Sequence, residues 1–242
     1  MFRCIVLVPS YNSGTLLCRT VRAVLAVWAD VVVVIDGSTD GSGQVVEGMV
    51  ATYAGLHVLH LPHNGGKGRA VLHGAEWALQ QGYTHVLTMD ADGQHPVAAV
   101  QDFVEAARRA PQAMVLGVPM FGPDAPALRV WGRKLSNILV QMETQGAVRD
   151  CLFGFRVYPA QQMVTVLRES RFMRGFDFDP EVAVRMVWRG VRTLNKPASV
   201  QYFDAAEGGI SHFHYVRDNV RLCFMHLRLL YAWTLCARCK RR

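Results

Sequence analysis

Apolar residues in the first half of the chain form two alternating patterns. Short, continuous, β-rich runs indicate strands buried on both faces, and longer stretches with an apolar residue every three or four positions indicate amphipathic helices. Strands are predicted at 3–8, 31–35, 57–60, 84–89 and 113–117, and helices at 15–28, 43–53, 67–81 and 97–109. This alternation predicts an α/β fold, with a mainly parallel central sheet and helices on both faces.

The second half of the chain is less regular. The pattern predicts a loop at 121–126, a helix at 127–144, a strand at 153–158 and a helix at 179–189 that Gly190 ends. No repeat or low-complexity linker interrupts the sequence. We therefore expect one domain over residues 1–213, followed by a separate segment over 214–242.

The segment 214–242 has the pattern of a basic amphipathic helix with a short tail. At 100° per residue Arg217, Arg221 and Arg228 fall on one stripe, and Leu222 and Leu229 lie opposite. Charged residues interrupt it too often for a membrane-spanning helix. Two interpretations stay open: a helix that lies on an anionic membrane surface, or a closing helix that packs on the domain.

Charge and cysteine content narrow the class of protein. The formal net charge of +7 favours anionic partners, such as nucleoside diphosphates or an acidic membrane surface. Nucleic acid is not an expected partner, because the basic residues are not interleaved with aromatic residues as in a recognisable nucleic-acid module. The six cysteines lie mostly in apolar segments, and the first apolar run is short for a signal peptide. A cytoplasmic protein, peripheral on the inner face of the membrane, is predicted.

Two carboxylates follow the strand predicted at 84–89. Asp90 and Asp92 are at i and i+2, so in an extended segment they point the same way, roughly 7 Å apart. A divalent cation would turn their repulsion into attraction, and the Gln94 amide and the His95 imidazole follow as further ligands. The alternative is an ordinary surface turn, because Asp and Gly are common turn residues.

Three other polar loops follow predicted strands, at residues 8–12, 36–42 and 63–69. In the third, a glycine-rich turn leads into a helix, so backbone N–H groups can approach an anion and Lys67 or Arg69 can neutralise phosphate. It lacks the spacing of a Walker A motif, and no G-x-G-x-x-G follows the first strand. If all four loops lie at the carboxyl edge of one sheet, they predict a shared ligand site.

The order and spacing of these segments resemble those of inverting family 2 glycosyltransferases, and are most similar to the polyprenyl-phosphate branch that includes dolichyl-phosphate mannose synthases. The matching segments are Pro9-Ser10-Tyr11-Asn12, Asp36-Gly37-Ser38-Thr39-Asp40-Gly41, Asn64-x-Gly66-Lys67-Gly68 and Asp90-Ala91-Asp92-Gly93-Gln94-His95. The resemblance runs from about residue 3 to about residue 213.

This resemblance implies a glycosyltransferase A-type fold that binds a nucleoside diphosphate sugar and transfers the sugar with inversion. The metal would be Mg²⁺ or Mn²⁺, held by Asp90, Asp92 and Gln94, and the favoured acceptor is a lipid phosphate or another membrane-located molecule. The implied donor-binding residues are Pro9, Tyr11, Asn12, Asp36, Gly37, Ser38, Lys67, Gly68, Asp90, Ala91, Asp92 and Arg133.

The resemblance extends to the catalytic residues of the second half. Gly154-Phe155-Arg156 and Arg133-x-x-x-Asn137 match segments whose cations contact phosphates, and His212 stands at a basic position of a later segment. Asp179 would be the catalytic base for a hydroxyl acceptor, or an orienting group if the acceptor is an anionic phosphate. The implied catalytic residues are therefore Asp179, Arg156 and His212.

One departure from the family pattern keeps alternatives open. Ile35 precedes Asp36 where the family usually has a second acid, which bears on nucleoside recognition. A nucleotidyltransferase also places carboxylates and glycine-rich loops on an α/β sheet, but its basic glycine-rich loop after the first strand is absent. A catalytically degenerate subunit that only binds a nucleotide sugar is the non-enzymatic alternative.

Overall fold

A computed structural model describes residues 1–120, 127–200 and 215–239 of the 242-residue chain. Its strands are β1 (Cys4–Ser10), β2 (Val31–Asp36), β3 (Leu56–Leu61), β4 (His85–Thr88), β5 (Ala113–Met120), β6 (Arg156–Pro159) and β7 (Arg192–Ser199). Its helices are α1 (Gly14–Leu25), α2 (Ser42–Glu47), α3 (Lys67–Gln80), α4 (Val100–Arg109), α5 (Ala127–Glu143), α6 (Ala160–Glu169), α7 (Phe178–Trp188) and α8 (Tyr215–Cys239). The loop predicted at 121–126 and the segment 209–212 lie outside the described residues.

The strands form one sheet in the order β3-β2-β1-β4-β6-β5-β7. The first four are parallel, β5 and β7 are parallel, and β6 runs antiparallel to both β4 and β5. This confirms the predicted mainly parallel sheet. Because β1, β2, β3 and β4 all point the same way, the four polar loops that follow them emerge at one edge.

Apolar side chains cover both faces of the sheet. Along β1, Ile5 and Leu7 join a layer that includes residues of α3, α6 and α7, while Val6 and Val8 join a layer that includes residues of α1 and α4. Alternate strand residues point to opposite faces, so a continuous apolar run fills two layers. The prediction of helices on both faces is confirmed.

Two elements of the second half were not predicted. Helix α6 had a usable signal, because Ala160, Met163, Val164 and Leu167 are spaced as one helical face, and all four are buried. Strand β7 has a polar sequence and contains Pro197, so its pattern resembles a loop. Its pairing with β5 at the edge of the sheet makes it a strand.

Helix α8 packs on the domain through one face only. Leu222, Met225 and Leu229 are buried in the same layer as α3 and α7. On its other face Phe224 and Leu227 are exposed. The closing-helix interpretation therefore describes the buried face, and the apolar residues of the opposite face are exposed. None of the helices in the described part of the chain is both long and apolar enough to cross a membrane.

Candidate active site

A large cleft opens at the edge where the parallel strands end. Its two ends differ in chemistry: one is lined by Asp90, Asp92 and Gln94, and the other by residues of α8. We call them the donor end and the acceptor end, after the ligands that the sequence resemblance would lead us to expect there. Of the predicted donor-binding and metal residues, those that line the cleft are Pro9, Tyr11, Asp36, Lys67, Asp90, Ala91, Asp92, Gln94 and Arg133. Asn12, Gly37, Ser38 and Gly68 are not among its lining residues.

Asn12 shapes the first two loops from behind the cleft wall. Its backbone is left-handed, with φ 45°, and its N–H donates to Ser38 Oγ at 3.0 Å. Its side-chain Oδ1 accepts from the Thr39 N–H at 2.8 Å. These bonds join the loop after β1 to the loop after β2, so Asn12 and Ser38 hold the shape of the donor end.

Asp36 ties strand β2 to the glycine-rich turn. Its carboxylate is buried and accepts from the Gly65 N–H at 2.9 Å and the Gly66 N–H at 2.8 Å. Gly37 permits this close approach, because a Cβ there would lie 2.5 Å from the Asn64 backbone nitrogen. Asp36 thus has a structural role, and each oxygen keeps one further lone pair for a ligand.

Lys67 bridges two carboxylates that are distant in sequence. Its Nζ lies 2.7 Å from Asp90 Oδ1 and 2.7 Å from Asp179 Oδ2. Burial acts to lower the pKa of Lys67, but the two carboxylates outweigh it and the pKa is raised. Gly154 leaves room for this arrangement, since a Cβ there would lie 2.7 Å from the Lys67 Nζ.

The two carboxylates of the donor end differ electrostatically. Burial acts to raise the pKa of Asp90, but the Lys67 ammonium holds that pKa below its usual value. The pKa of Asp92 is raised, first by burial and then by the neighbouring Asp90 charge. Asp92 therefore lacks the compensating cation that Asp90 has.

His95 lines the cleft, and its ring is engaged with Asp90. Its Nδ1 accepts from the Asp90 N–H at 2.9 Å, so the proton of the neutral ring is on Nε2, which lies 3.6 Å from Asp90 Oδ2. The buried ring meets Phe153 and Phe155 edge-on, with centroids 4.9 and 5.7 Å away. The expected imidazole ligand is thus a positioning residue.

The chemistry of this donor set fits a divalent cation shared with a diphosphate. Asp92 Oδ1 accepts from the Gln94 N–H at 3.0 Å, and Asp92 Oδ2 has no such bond within the described residues. In the described ranges no three His, Cys, Asp or Glu side chains come together as a metal site. A cation here would take only a few protein ligands, and Mg²⁺ sites with one or two carboxylates complete their shells with phosphate and water.

Asp179 is the second residue of helix α7 and lines the cleft. Its Oδ2 accepts from Lys67, whereas its buried Oδ1 has no hydrogen-bond partner among the described residues. A buried carboxylate oxygen without a partner is costly, and such groups are common at functional sites. Asp179 therefore has one buried carboxylate oxygen whose hydrogen-bonding capacity is not used by the described residues.

Arg156 does not occupy the predicted place, and the prediction that it contacts phosphates is corrected here. Its side chain is fully buried behind the cleft wall. Its Nε donates to the Phe153 carbonyl at 2.8 Å, and its two Nη atoms donate to Tyr158 Oη at 3.1 Å and to the carbonyls of Asp150 and Asp179. With these donors engaged, Arg156 fixes the backbone that carries Gly154 and Asp179.

Arg133 and Asn137, the predicted pair, both bind the carboxylate of Asp150. Arg133 Nη1 lies 3.1 Å from Asp150 Oδ1, and Asn137 Nδ2 donates to Asp150 Oδ2 at 3.0 Å. Asp150 in turn accepts from the backbone N–H groups of Leu152 and Phe153. The pair therefore sets the turn before Gly154, and Arg133 lines the cleft as well. His212 lies outside the described residues.

The sequence interpretation missed the loop between α6 and α7. Arg171 and Arg174 of this loop line the cleft near α8. The available signal was a pair of arginines shortly before Asp179, but only the fold brings them to α8. It also missed the ion pair between Lys67 and Asp179, which no local pattern encodes.

Comparison with known proteins places this architecture in a family. Residues 5–163 match the model of glycosyl transferase family 2. The undecaprenyl-phosphate mannosyltransferase of Micrococcus luteus is 27% identical over 217 residues, covering 86% of this chain and 88% of that protein. The polyprenol monophosphomannose synthase of Mycolicibacterium smegmatis is 26% identical over 215 residues, covering 86% of this chain and 80% of that protein.

A solved structure gives the fold independently. The glucosyl-3-phosphoglycerate synthase of Mycobacterium tuberculosis, in complex with Mn²⁺, UDP-glucose and phosphoglyceric acid, superposes with a TM-score of 0.64 at 14% identity, covering 96% of this chain and 79% of that one. The predicted glycosyltransferase A-type fold is confirmed. With the family model matching about two thirds of its residues, this chain belongs to glycosyl transferase family 2.

Proposed function

We propose that this glycosyltransferase moves a sugar from a nucleoside diphosphate sugar to a polyprenyl phosphate or a similar membrane-located lipid phosphate, with Mg²⁺ or Mn²⁺. The observation that carries the proposal is the cleft itself. It joins the carboxylates Asp90 and Asp92 at one end to basic and apolar residues of α8 at the other. The names of the similar Micrococcus and Mycolicibacterium proteins support the lipid phosphate.

At the donor end, Asp90, Asp92 and Gln94 would hold the cation. When bound, that cation stabilises the negative charge that builds on the departing diphosphate. Asp92 Oδ2, which accepts no hydrogen bond within the described residues, would be one ligand, and the cation would offset the burial and the Asp90 charge that raise the pKa of Asp92. Lys67 keeps Asp90 ionised and fixed, so the carboxylate needs no rearrangement when the donor binds.

At the reacting centre, the acceptor decides what Asp179 does. A phosphate oxygen is already anionic, so it attacks the anomeric carbon without losing a proton, and direct displacement inverts the configuration. Asp179 then orients the acceptor through its unpartnered Oδ1, and with a hydroxyl acceptor the same oxygen would accept the proton. Arg156 acts only through the backbone of Asp179.

The exposed face of α8 supports attachment to an anionic membrane surface on the cytoplasmic side. Phe224, Leu227, Tyr231 and Trp233 are exposed apolar or aromatic residues, and Arg217 and Arg221 lie on the same helix. Amphipathic helices of this composition bury their apolar residues at the headgroup boundary and hold anionic lipids with their arginines. This surface would bring the acceptor end of the cleft to the lipid.

A radiochemical assay tests the proposed function. Purified protein with Mn²⁺ and vesicles containing undecaprenyl phosphate is given a panel of labelled UDP-, GDP- and dTDP-sugars. We expect one donor to label the lipid fraction, and chelation of the metal to abolish the label. Consumption of none of the donors, or transfer that persists unchanged in excess EDTA, would contradict the proposal.

A further inference from the structure

We infer that four arginines at the acceptor end, which we call the basic cluster, bind the phosphate of a phosphomonoester carried on a hydrocarbon chain. They are Arg171, Arg174, Arg217 and Arg221. The inference deepens the proposed function and rests on it for the reaction. It assigns the acceptor's phosphate to residues that the sequence resemblance does not include.

The loop that carries Arg171 and Arg174 is held in a defined shape. Met173 is buried and has a left-handed backbone with φ 56°, which is uncommon for a residue other than glycine. The Asp177 carboxylate accepts from the Met173 N–H at 3.2 Å and the Gly175 N–H at 2.9 Å. Backbone strain of this kind persists only where the surroundings enforce it, and it is concentrated at ligand sites.

The same loop is attached to the glycine-rich turn of Lys67. The Gly68 N–H donates to the Arg174 carbonyl at 3.2 Å. A Cβ on Gly68 would lie 1.7 Å from the Met173 carbonyl oxygen, and one on Gly66 would lie 2.1 Å from the Arg174 carbonyl oxygen. The two glycines therefore allow a direct backbone contact, and the loop is fixed relative to the donor end.

Helix α8 holds the other side of this loop. Arg228 covers the Phe172 ring at 3.8 Å and pairs with Glu181, which is fully buried on α7. Arg221 Nη1 lies close to Gly175, at 3.3 Å from the position of a Cβ. These contacts place the arginines of α8 next to those of the loop.

The basic cluster has more positive charge than its neighbours neutralise. Asp218 is buried and is shared by Arg217 Nε at 3.2 Å and Arg221 Nη1 at 3.6 Å. Asp177 is committed to backbone N–H groups. Arg171 and Arg174 are exposed and make no ion pair within the described ranges. Arginine forks of this kind match the geometry of phosphate oxygens.

Apolar side chains next to the basic cluster decide between a lipid and a small soluble phosphate. Leu222, Phe224, Leu227 and Tyr231 line the same end of the cleft. A small phosphorylated acid would leave them in contact with water, whereas a hydrocarbon chain would cover them. The site therefore fits a phosphate headgroup with the start of its chain lying along α8.

The test is the double variant Arg171→Ala/Arg174→Ala, with Arg192→Ala as a matched control on β7, where the arginine is exposed and does not line the cleft. Both altered side chains are exposed, so the fold should persist. Losing two charge-assisted contacts should raise the KM for a short-chain polyprenyl phosphate at least about tenfold. The KM for the sugar donor should not change, and the control should behave as the wild type.

Direct binding separates this inference from the proposed function. Calorimetric titration uses a short-chain polyprenyl phosphate, its parent alcohol and glycerol 3-phosphate on the wild type and both variants, without donor. We expect measurable binding of the polyprenyl phosphate alone, weakened in the double variant only. If the double variant binds the polyprenyl phosphate as tightly as the wild type does, or has the same KM for it, the basic cluster does not bind the phosphate. If the wild type binds glycerol 3-phosphate as tightly as the polyprenyl phosphate, the hydrocarbon chain is not required. Absence of sugar transfer in the wild type would instead overturn the proposed function, while the titration would still decide the basic cluster.

Discussion

The two ends of the cleft hold their charges in opposite ways. At the donor end the Lys67 ammonium lies between Asp90 and Asp179, and the Asp36 carboxylate is occupied by backbone N–H groups. At the acceptor end Arg171 and Arg174 are exposed without a carboxylate partner in the described part of the chain. The donor end is thus preorganised by its own contacts, whereas the acceptor end obtains its counter-charge from the ligand.

The contrast follows from how each end is built. Loops after four adjacent parallel strands form the donor end, so the sheet itself fixes their spacing. The acceptor end combines the α6–α7 loop with α8, two elements joined by the Arg228 contacts with Phe172 and Glu181. Substitutions at the two ends should therefore have separable effects.

The largest expected effect on sugar transfer comes from a substitution at the donor end. Asp90→Asn removes the charge that would hold the cation while keeping the shape, and we expect kcat/KM for transfer to fall about 10³-fold. Steady-state transfer with saturating Mn²⁺ measures it. Asp102→Asn, on an exposed acid of α4 that pairs with Lys196, is the control and should keep full activity. Near-normal activity of Asp90→Asn would contradict the role of the donor end in holding the cation.

The wall shared by both ends depends on Arg156. Arg156→Met removes the buried guanidinium that donates to the carbonyls of Phe153, Asp150 and Asp179, so we expect the free energy of unfolding to fall by about 3 kcal/mol. Urea denaturation measures it. If stability is unchanged and only the donor KM rises, Arg156 contacts phosphate and does not act as a support for the backbone.

The exposed apolar face of α8 belongs to the acceptor end, and substitutions on it should weaken membrane binding. Phe224→Ser/Leu227→Ser removes apolar area from the exposed face, and we expect partitioning onto anionic vesicles to fall about tenfold or more. Vesicle co-sedimentation measures it, with Val45→Ser/Val50→Ser as control, at two exposed apolar residues in and just after α2. Deleting α8 is a poorer test, because Leu222, Met225 and Leu229 belong to the core.

The smallest expected effect is on the free energy of unfolding, when Asp40 in a loop of the donor end is substituted. Burial acts to raise the pKa of Asp40, but hydrogen bonds from Ser42 and the Gly14 N–H outweigh it and lower the pKa. A depressed carboxyl pKa stabilises the fold above the unfolded pKa, and this stabilisation is lost as the pH falls through the folded value. Asp40→Asn should therefore cost less than about 1 kcal/mol at neutral pH, since the side chain is exposed.

The difference in unfolding free energy between wild type and Asp40→Asn should shrink as the pH is lowered toward about 3. Denaturation at several pH values measures it. A difference that stays constant with pH would mean that the carboxylate charge does not stabilise these loops.

The sequence predicted the donor end better than the acceptor end for a physical reason. Strands β1, β2 and β4 have strong local patterns, and their following loops carry the polar residues, so Asp90 and Lys67 were found from pattern and spacing. The approach of Lys67 to Asp179 spans 112 positions and depends on packing of α3 against α7. Packing at this distance leaves no local periodicity.

The sequence also does not show which arginines contact a ligand and which support the backbone. Arg156 was assigned to phosphate, yet its guanidinium is fully buried and bonded to carbonyls, whereas Arg171 and Arg174 had no assignment and line the cleft. Whether an arginine supports the backbone or meets a ligand depends on burial, which the sequence does not specify at these positions. Strand β7 was missed for a related reason, since its partner β5 and not its own sequence makes it a strand.

The separation of the two ends is tested most directly by two-substrate kinetics on Asp92→Asn and on Arg171→Ala/Arg174→Ala. The account predicts that Asp92→Asn lowers kcat/KM for the sugar donor and leaves the acceptor KM within about twofold, because the two sets of residues share no partner. The arginine variant should show the reverse pattern. If both variants raise the same KM, the cleft does not hold donor and acceptor at separate ends, and the account is contradicted.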